Sequence, residues 1–219
     1  MGLSHYLKKR VVTVIKLDVM KVLLTGFEPY WDYPENSSWV VAEEVVTRGV
    51  SGVDIVAELM PVSFQRAPYV LRKVVDKHTP DLIIMLGQSG GANRVKLERI
   101  AINMMDSKLA DNDGVIPDEE PICTNLSSAL FTNVPIKSLR KAIEACDIPV
   151  KISNSCGLYV CNRLYYEALT LCQKNPKMKA LFVHLPFYEE QPSAKEGKPT
   201  MPLNQMVRAI QIIIEESND

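Results

Sequence analysis

The sequence predicts an α/β fold: a single three-layer α/β/α domain on a mostly parallel, twisted sheet. Three observations carry this. Short apolar runs such as KVLLT and ALFVH read as buried strands. Stretches of helix length alternate with them along the chain, the pattern of a parallel sheet with helices on both faces. The 219 residues favour one domain with a sizeable core.

The elements follow in order. Residues 21–25 are a strand. Ser37 and Ser38 can cap a helix from Trp39 to about Arg48, stopped by Gly49. DIVAELM (54–60) is a strand, and Ser63 can cap a second helix that runs towards His78 and stops at Pro80. DLIIMLG (81–87) is a strand, and VKLERIAINMM (95–105) is one extended stretch. DNDGVIPDEEP (111–121) is a polar loop. Helices are expected over 136–146, from Leu158 to about Gln173, and from Leu203 to Glu216, with strands at 150–153 and 180–184. Residues 187–202 form the one long irregular segment, a candidate lid. Residues 1–19 read as an N-terminal appendage to a unit spanning 20–219, with Met20 as a working initiator. An extra edge strand, VVTVIKL, is the competing reading.

Composition excludes several classes. A net charge of −1 gives no support for a nucleic-acid or anionic-membrane partner. The apolar stretch near the N-terminus is too short to span a bilayer. Five cysteines, without C-x-x-C or zinc-finger spacing, fit thiols in a reducing cytoplasm. No metal and no cofactor is implied.

The chemistry gathers on few residues. Cys161 lies near the start of its helix, where the helix dipole lowers a thiol pKa. It also shares a face with Tyr165, Ala168, Leu169 and Cys172, as a core cysteine would. There are three histidines. His5 is in a basic leader, His78 reads as solvent-facing, and His184 closes a strand where open α/β sheets place their chemistry. A thiol and an imidazole so placed are the parts of a nucleophile and its base, although a strand-end histidine is also a common core residue. Glu98 interrupts an apolar run, so it is exposed, paired with Lys96 or Arg99, or orienting His184. LGQSGGAN (86–93) lacks the P-loop ending and reads as a tight turn near a ligand. DNDG (111–114) lacks the remaining calcium ligands of an EF-hand and reads as a turn. Phe27, Tyr30, Trp31, Tyr33 and Trp39 crowd the segment after the first strand. They either grip a flat ring or pack on a neighbouring loop or subunit.

TGFEPY with Asn36, Ser38 and Trp39, then GQSGG with LERIAIN, then VCN with FVHLPF, appear in that order. Together they resemble the pyroglutamyl peptidase I (pyrrolidone-carboxylate peptidase) family of cysteine peptidases, from about Lys21 to the terminal helix. The resemblance implies a cytoplasmic exopeptidase that removes N-terminal pyroglutamate from peptides, commonly as a homotetramer. It implies Cys161 as nucleophile, His184 as base and Glu98 as third triad member. It further implies Phe27 and Tyr30 as the aromatic pair around the pyrrolidone ring, and Gln88 in the substrate pocket.

This chain departs from the pattern at several positions. Tyr30 stands for a phenylalanine, and Trp31 and Asp32 for a pair of glycines. Ser37 stands for a proline, and Cys156 for an alanine. Lys108 replaces an arginine credited with supporting the oxyanion site; it keeps the charge but not the planar fork. Cys156 offers a rival nucleophile or a disulfide partner. A catalytically silent lactam-binding protein and an amidase on small lactams are the competing functions.

Overall fold

The computed structural model describes residues 19–192 and 197–218. All but the last residue of the expected appendage, and the expected edge strand at 11–17, lie outside them.

The strands of the main sheet are β1 (Met20–Phe27), β2 (Val53–Met60), β3 (Leu82–Gln88), β4 (Val95–Glu98), β7 (Val150–Ser153) and β8 (Lys179–Leu185). Their order across the sheet is β2-β1-β3-β8-β4-β7. The first four run parallel; β4 is antiparallel to β8 and parallel to β7. β3 lies in the middle and all seven of its residues are buried, which explains its unbroken apolar sequence.

Helices cover both faces. Helices α1 (Ser37–Arg48), α3 (Ile136–Glu144) and α5 (Leu203–Asn218) pack on one side around Val41, Leu139 and Ile213. Helices α2 (Arg66–His78) and α4 (Val160–Lys174) pack on the other around Leu71, Leu164 and Phe182. This is the three-layer α/β/α arrangement the alternation predicts.

Five local expectations are corrected. Asn36, not a serine, caps α1: its side chain accepts the Ser38 N–H. Ser38 Oγ instead takes the Phe27 N–H at 2.9 Å, joining the end of β1 to the helix start. The extended stretch 95–105 is not one strand. It breaks at Arg99, after which β5 (Ile100–Ile102) leaves the sheet to pair with β6 (Ala129–Phe131). His78 is not solvent-facing but half-buried, with Nε2 3.3 Å from Glu58. The irregular segment after β8 carries two short parallel strands, β9 (Phe187–Tyr188) and β10 (Thr200–Met201).

Nor does Ser63 stand at the cap of α2: that position is Gln65, whose side chain makes no capping bond, while Ser63 Oγ accepts the Arg66 N–H at 2.9 Å from one turn earlier. Gly26 is required where β1 meets α1, because a Cβ there would lie 2.6 Å from the Trp39 Cα. That close approach brings the α1 start against the end of β1. No described helix is long and apolar enough to cross a membrane.

Candidate active site

The carboxyl ends of β1, β3 and β8 and the start of α4 surround one cavity of about 330 Å³. Its lining includes Phe27, Tyr30, Gln88, Lys108, Cys161 and His184. Glu98 lies directly behind it, fully buried. These seven are thus brought together, and Trp31 and Cys156 join the lining, whereas Tyr33 and Trp39 do not.

His184 is the penultimate residue of β8, its ring 4.8 Å from that of Phe182 centre to centre. Its Nδ1 lies 2.8 Å from Glu98 Oε1. A carboxylate accepts, so Nδ1 carries a proton, and in the neutral ring Nε2 is then the nitrogen with the lone pair. The pairing follows from the ladder: Glu98 sits opposite Phe182 in the antiparallel β4–β8 pair, and His184 is the diagonal neighbour on the same face. Neither Lys96 nor Arg99 engages Glu98; Lys96 Nζ donates to Ser89 Oγ.

Cys161 is the second residue of α4, at the position expected for help from the helix dipole. Yet burial pushes its thiol up to about 12, and the Glu98 charge adds to the rise. Protein atoms crowd the sulfur even though the residue keeps some surface on the cavity. This corrects the expectation of a lowered thiol pKa, because desolvation outweighs the dipole here. Cys156, the rival thiol, also lines the cavity, but its Sγ lies 3.5 Å from Asn162 Oδ1 and burial pushes it well up.

Gln88 is held by its oxygen. Oε1 accepts from the Ser37 backbone N–H at 2.9 Å and from Gln191 Nε2 at 2.7 Å. A backbone N–H can only donate, which fixes the amide orientation. Gln88 Nε2 is left buried without a partner among the described residues. Burial pushes the Tyr30 phenol up; the neighbouring Gln88 amide works the other way without completing a hydrogen bond. The aromatic segment packs on itself and its neighbours: Trp31 lies 4.8 Å from Tyr30 and 5.7 Å from Tyr159, centre to centre.

A pyroglutamyl peptidase family model matches residues 20–219. The chain belongs to the pyroglutamyl peptidase family. The pyrrolidone-carboxylate peptidase of Thermococcus onnurineus is 38% identical over 199 residues, which are 90% of this chain and 98% of that one. The homologue from Thermosipho africanus is also 38% identical, over 91% of this chain and all of its own length. Among solved structures, pyrrolidone carboxyl peptidase from Fervidobacterium islandicum superposes with a TM-score of 0.85 at 36% identity, covering 90% of this chain and 98% of that one. Pyroglutamyl peptidase I from Bacillus amyloliquefaciens gives 0.84 at 34%, covering 88% and 92%.

The partners of two supporting residues of this family member escape a reading of the sequence. Asn162, fully buried beside Cys161, accepts the Ile102 N–H and donates to the Ile102 and Met104 carbonyls. Its place in VCN and its polarity on an apolar helix face mark it, but neither reveals its partners. Gln191, which steadies Gln88, gave no signal, since its loop position reveals no partner. Asp111 anchors the DNDG turn by accepting from Phe64, Asp113 and Val115 N–H groups, in line with the turn expectation. Among the described residues no group of three or more His, Cys, Asp or Glu side chains is arranged to hold a metal.

Proposed function

We propose that this chain hydrolyses the amide bond following an N-terminal pyroglutamyl residue, with Cys161 as nucleophile, His184 as base and Glu98 as the carboxylate that orients it. The observation that carries this is the shared cavity of Cys161 and His184, with His184 Nδ1 fixed 2.8 Å from buried Glu98. A histidine held in one tautomer with its other nitrogen free is what a thiol needs to lose its proton.

The Cys161 proton passes to His184 Nε2 as sulfur attacks the scissile carbonyl carbon. The high resting value of the thiol means that thiolate and imidazolium form together, the imidazolium alone being stabilised by Glu98 behind the ring. In the first turn of α4 the Cys161 backbone N–H has no intrahelical acceptor, so it can receive the developing oxyanion, with Lys108 at the rim adding charge. The C–N bond then breaks and the departing amine takes the proton from Nε2. Water, losing a proton to His184, cleaves the thioester, releases pyroglutamic acid and restores the thiol.

The substrate end suits the cavity. A pyroglutamyl ring has no charged amine, so ordinary aminopeptidase recognition is closed to it. Phe27 and Tyr30 offer aromatic walls, and the unpartnered Gln88 Nε2 offers a donor for the lactam carbonyl. Peptide N-termini are the partners in this reading. The peptidase unit is residues 20–219, in the cytoplasm and as a tetramer, as the family resemblance implies.

Release of aminomethylcoumarin from its pyroglutamyl conjugate, under reducing conditions, tests the assignment for wild type beside Cys161→Ser. Turnover by wild type alone is expected. Turnover by both moves the nucleophile to Cys156, and turnover by neither folded protein identifies a silent lactam-binding homologue.

A further inference from the structure

We infer that Trp31 and Leu109 form a subsite at the cavity mouth that selects a large apolar, preferably aromatic, residue immediately after pyroglutamate. This rests on the proposed peptidase reading and deepens it.

The pyroglutamyl ring is a chain terminus, so it fills the closed inner end, near Phe27 and Gln88, both nearly sealed from solvent. The remaining peptide must leave through the mouth. Among the lining residues, Trp31 and Leu109 are the strongly exposed apolar ones, at 49% and 50%. A cavity of about 330 Å³ is of the size that holds a drug-like ligand, much more than one five-membered lactam fills. The residue after pyroglutamate therefore meets this rim.

Trp31 is held there rather than loose. Its indole Nε1–H donates to the Ala110 carbonyl at 3.3 Å, joining its loop to the one that carries Leu109. The ring is buttressed by Tyr30 and Tyr159, and Tyr159 itself donates to the same carbonyl at 2.9 Å. The backbone at Trp31 has a φ of 51°, a conformation that a bulky residue adopts at a cost. A half-exposed tryptophan in a strained backbone, hydrogen-bonded across the mouth beside an exposed leucine, presents a rigid apolar face to the leaving side of the scissile bond. Such a face favours aromatic and large aliphatic side chains over glycine.

The test measures kcat/KM for pyroglutamyl-X-Gly-Gly peptides, with X as Phe, Leu or Gly, following peptide cleavage by mass spectrometry. Wild type is expected to prefer Phe over Gly by about tenfold, the gain from partly covering one aromatic side chain. Trp31→Gly and Trp31→Asn, both at ease with positive φ, are expected to shrink that ratio to about twofold. Leu109→Ser, next to the Ala110 carbonyl that holds Trp31, is expected to shrink it part of the way. A merely structural role would lower all three peptides alike and leave the ratio in place. That result, or a wild type that turns over all three equally, overturns the subsite while leaving the peptidase reading intact. No cleavage of any pyroglutamyl peptide by wild type overturns both.

Discussion

Gly87 and His184 are partners in the β3–β8 ladder, and a Cβ on Gly87 would lie 3.1 Å from the imidazole Cδ2 and 2.8 Å from the Phe182 ring. The Phe182 ring, on which the imidazole packs, occupies space that only a glycine on the neighbouring strand leaves open.

Gly87→Ala is therefore expected to displace the imidazole. Overpacking of this kind costs about 1–3 kcal/mol of stability. Turnover should fall more than tenfold, because the base depends on geometry at the scale of the shift. Thermal unfolding and kcat/KM measured together decide it; wild-type values for both would show that the ring can yield.

Glu98→Gln retains an oxygen that accepts from His184 Nδ1–H but removes the charge that stabilises an imidazolium. We expect kcat to fall about a hundredfold or more with little change in Tm. Glu98→Ala should add a loss of stability, since it strips a buried N–H of its acceptor. An unchanged kcat in Glu98→Gln would reduce Glu98 to a packing role.

Gln88→Glu keeps the oxygen that receives the Ser37 and Gln191 N–H groups and loses the unpartnered Nε2 donor. If that donor meets the lactam carbonyl, KM for pyroglutamyl substrates should rise about tenfold, with a smaller effect on kcat. Equal KM values would place lactam recognition elsewhere.

The raised thiol of Cys161 has a sign that can be checked. Its ordinary value is 9.0 and burial lifts it to about 12 in the folded chain. The folded state thus holds this proton more tightly than the unfolded state. Its contribution is fully present below pH 9 and is lost as pH rises from 9 towards 12. Urea unfolding at pH 8 and at pH 10.5 should show a smaller loss for Cys161→Ser than for wild type. Identical losses would mean that the sulfur is better solvated than its surroundings indicate.

Much of this was legible beforehand, for identifiable reasons. β3 and β8 lie under helices on both faces, so their sequences are continuously apolar and announce themselves. His184 was conspicuous because an imidazole ended one of those runs, and Glu98 because a carboxylate interrupted another. What joins them was not legible. The reversal of β4 and its place beside β8 are set by long-range packing, which leaves no local trace at Lys96 or Leu97. The break at Arg99 depends on β6, three residues in a polar stretch that is too short to register. Asn36 displaced the serines as cap through its contact with Ser38. The thiol of Cys161 illustrates a different limit. Position along a helix can be read from sequence, but the surrounding atoms that desolvate the sulfur cannot.

The reversal of β4 has one more consequence. β4 joins β8 through three opposed residue pairs, and only β7 lies beyond it in the sheet. The sheet thus has a seam, with His184 on the block of four parallel strands and Glu98 on a narrow two-strand leaf. Parting at that seam would disarm the site while most of the fold stood. On gentle heating, activity should fade before far-ultraviolet circular dichroism does, and the two curves should rejoin on cooling. Superimposable curves would mean that leaf and block melt as one body.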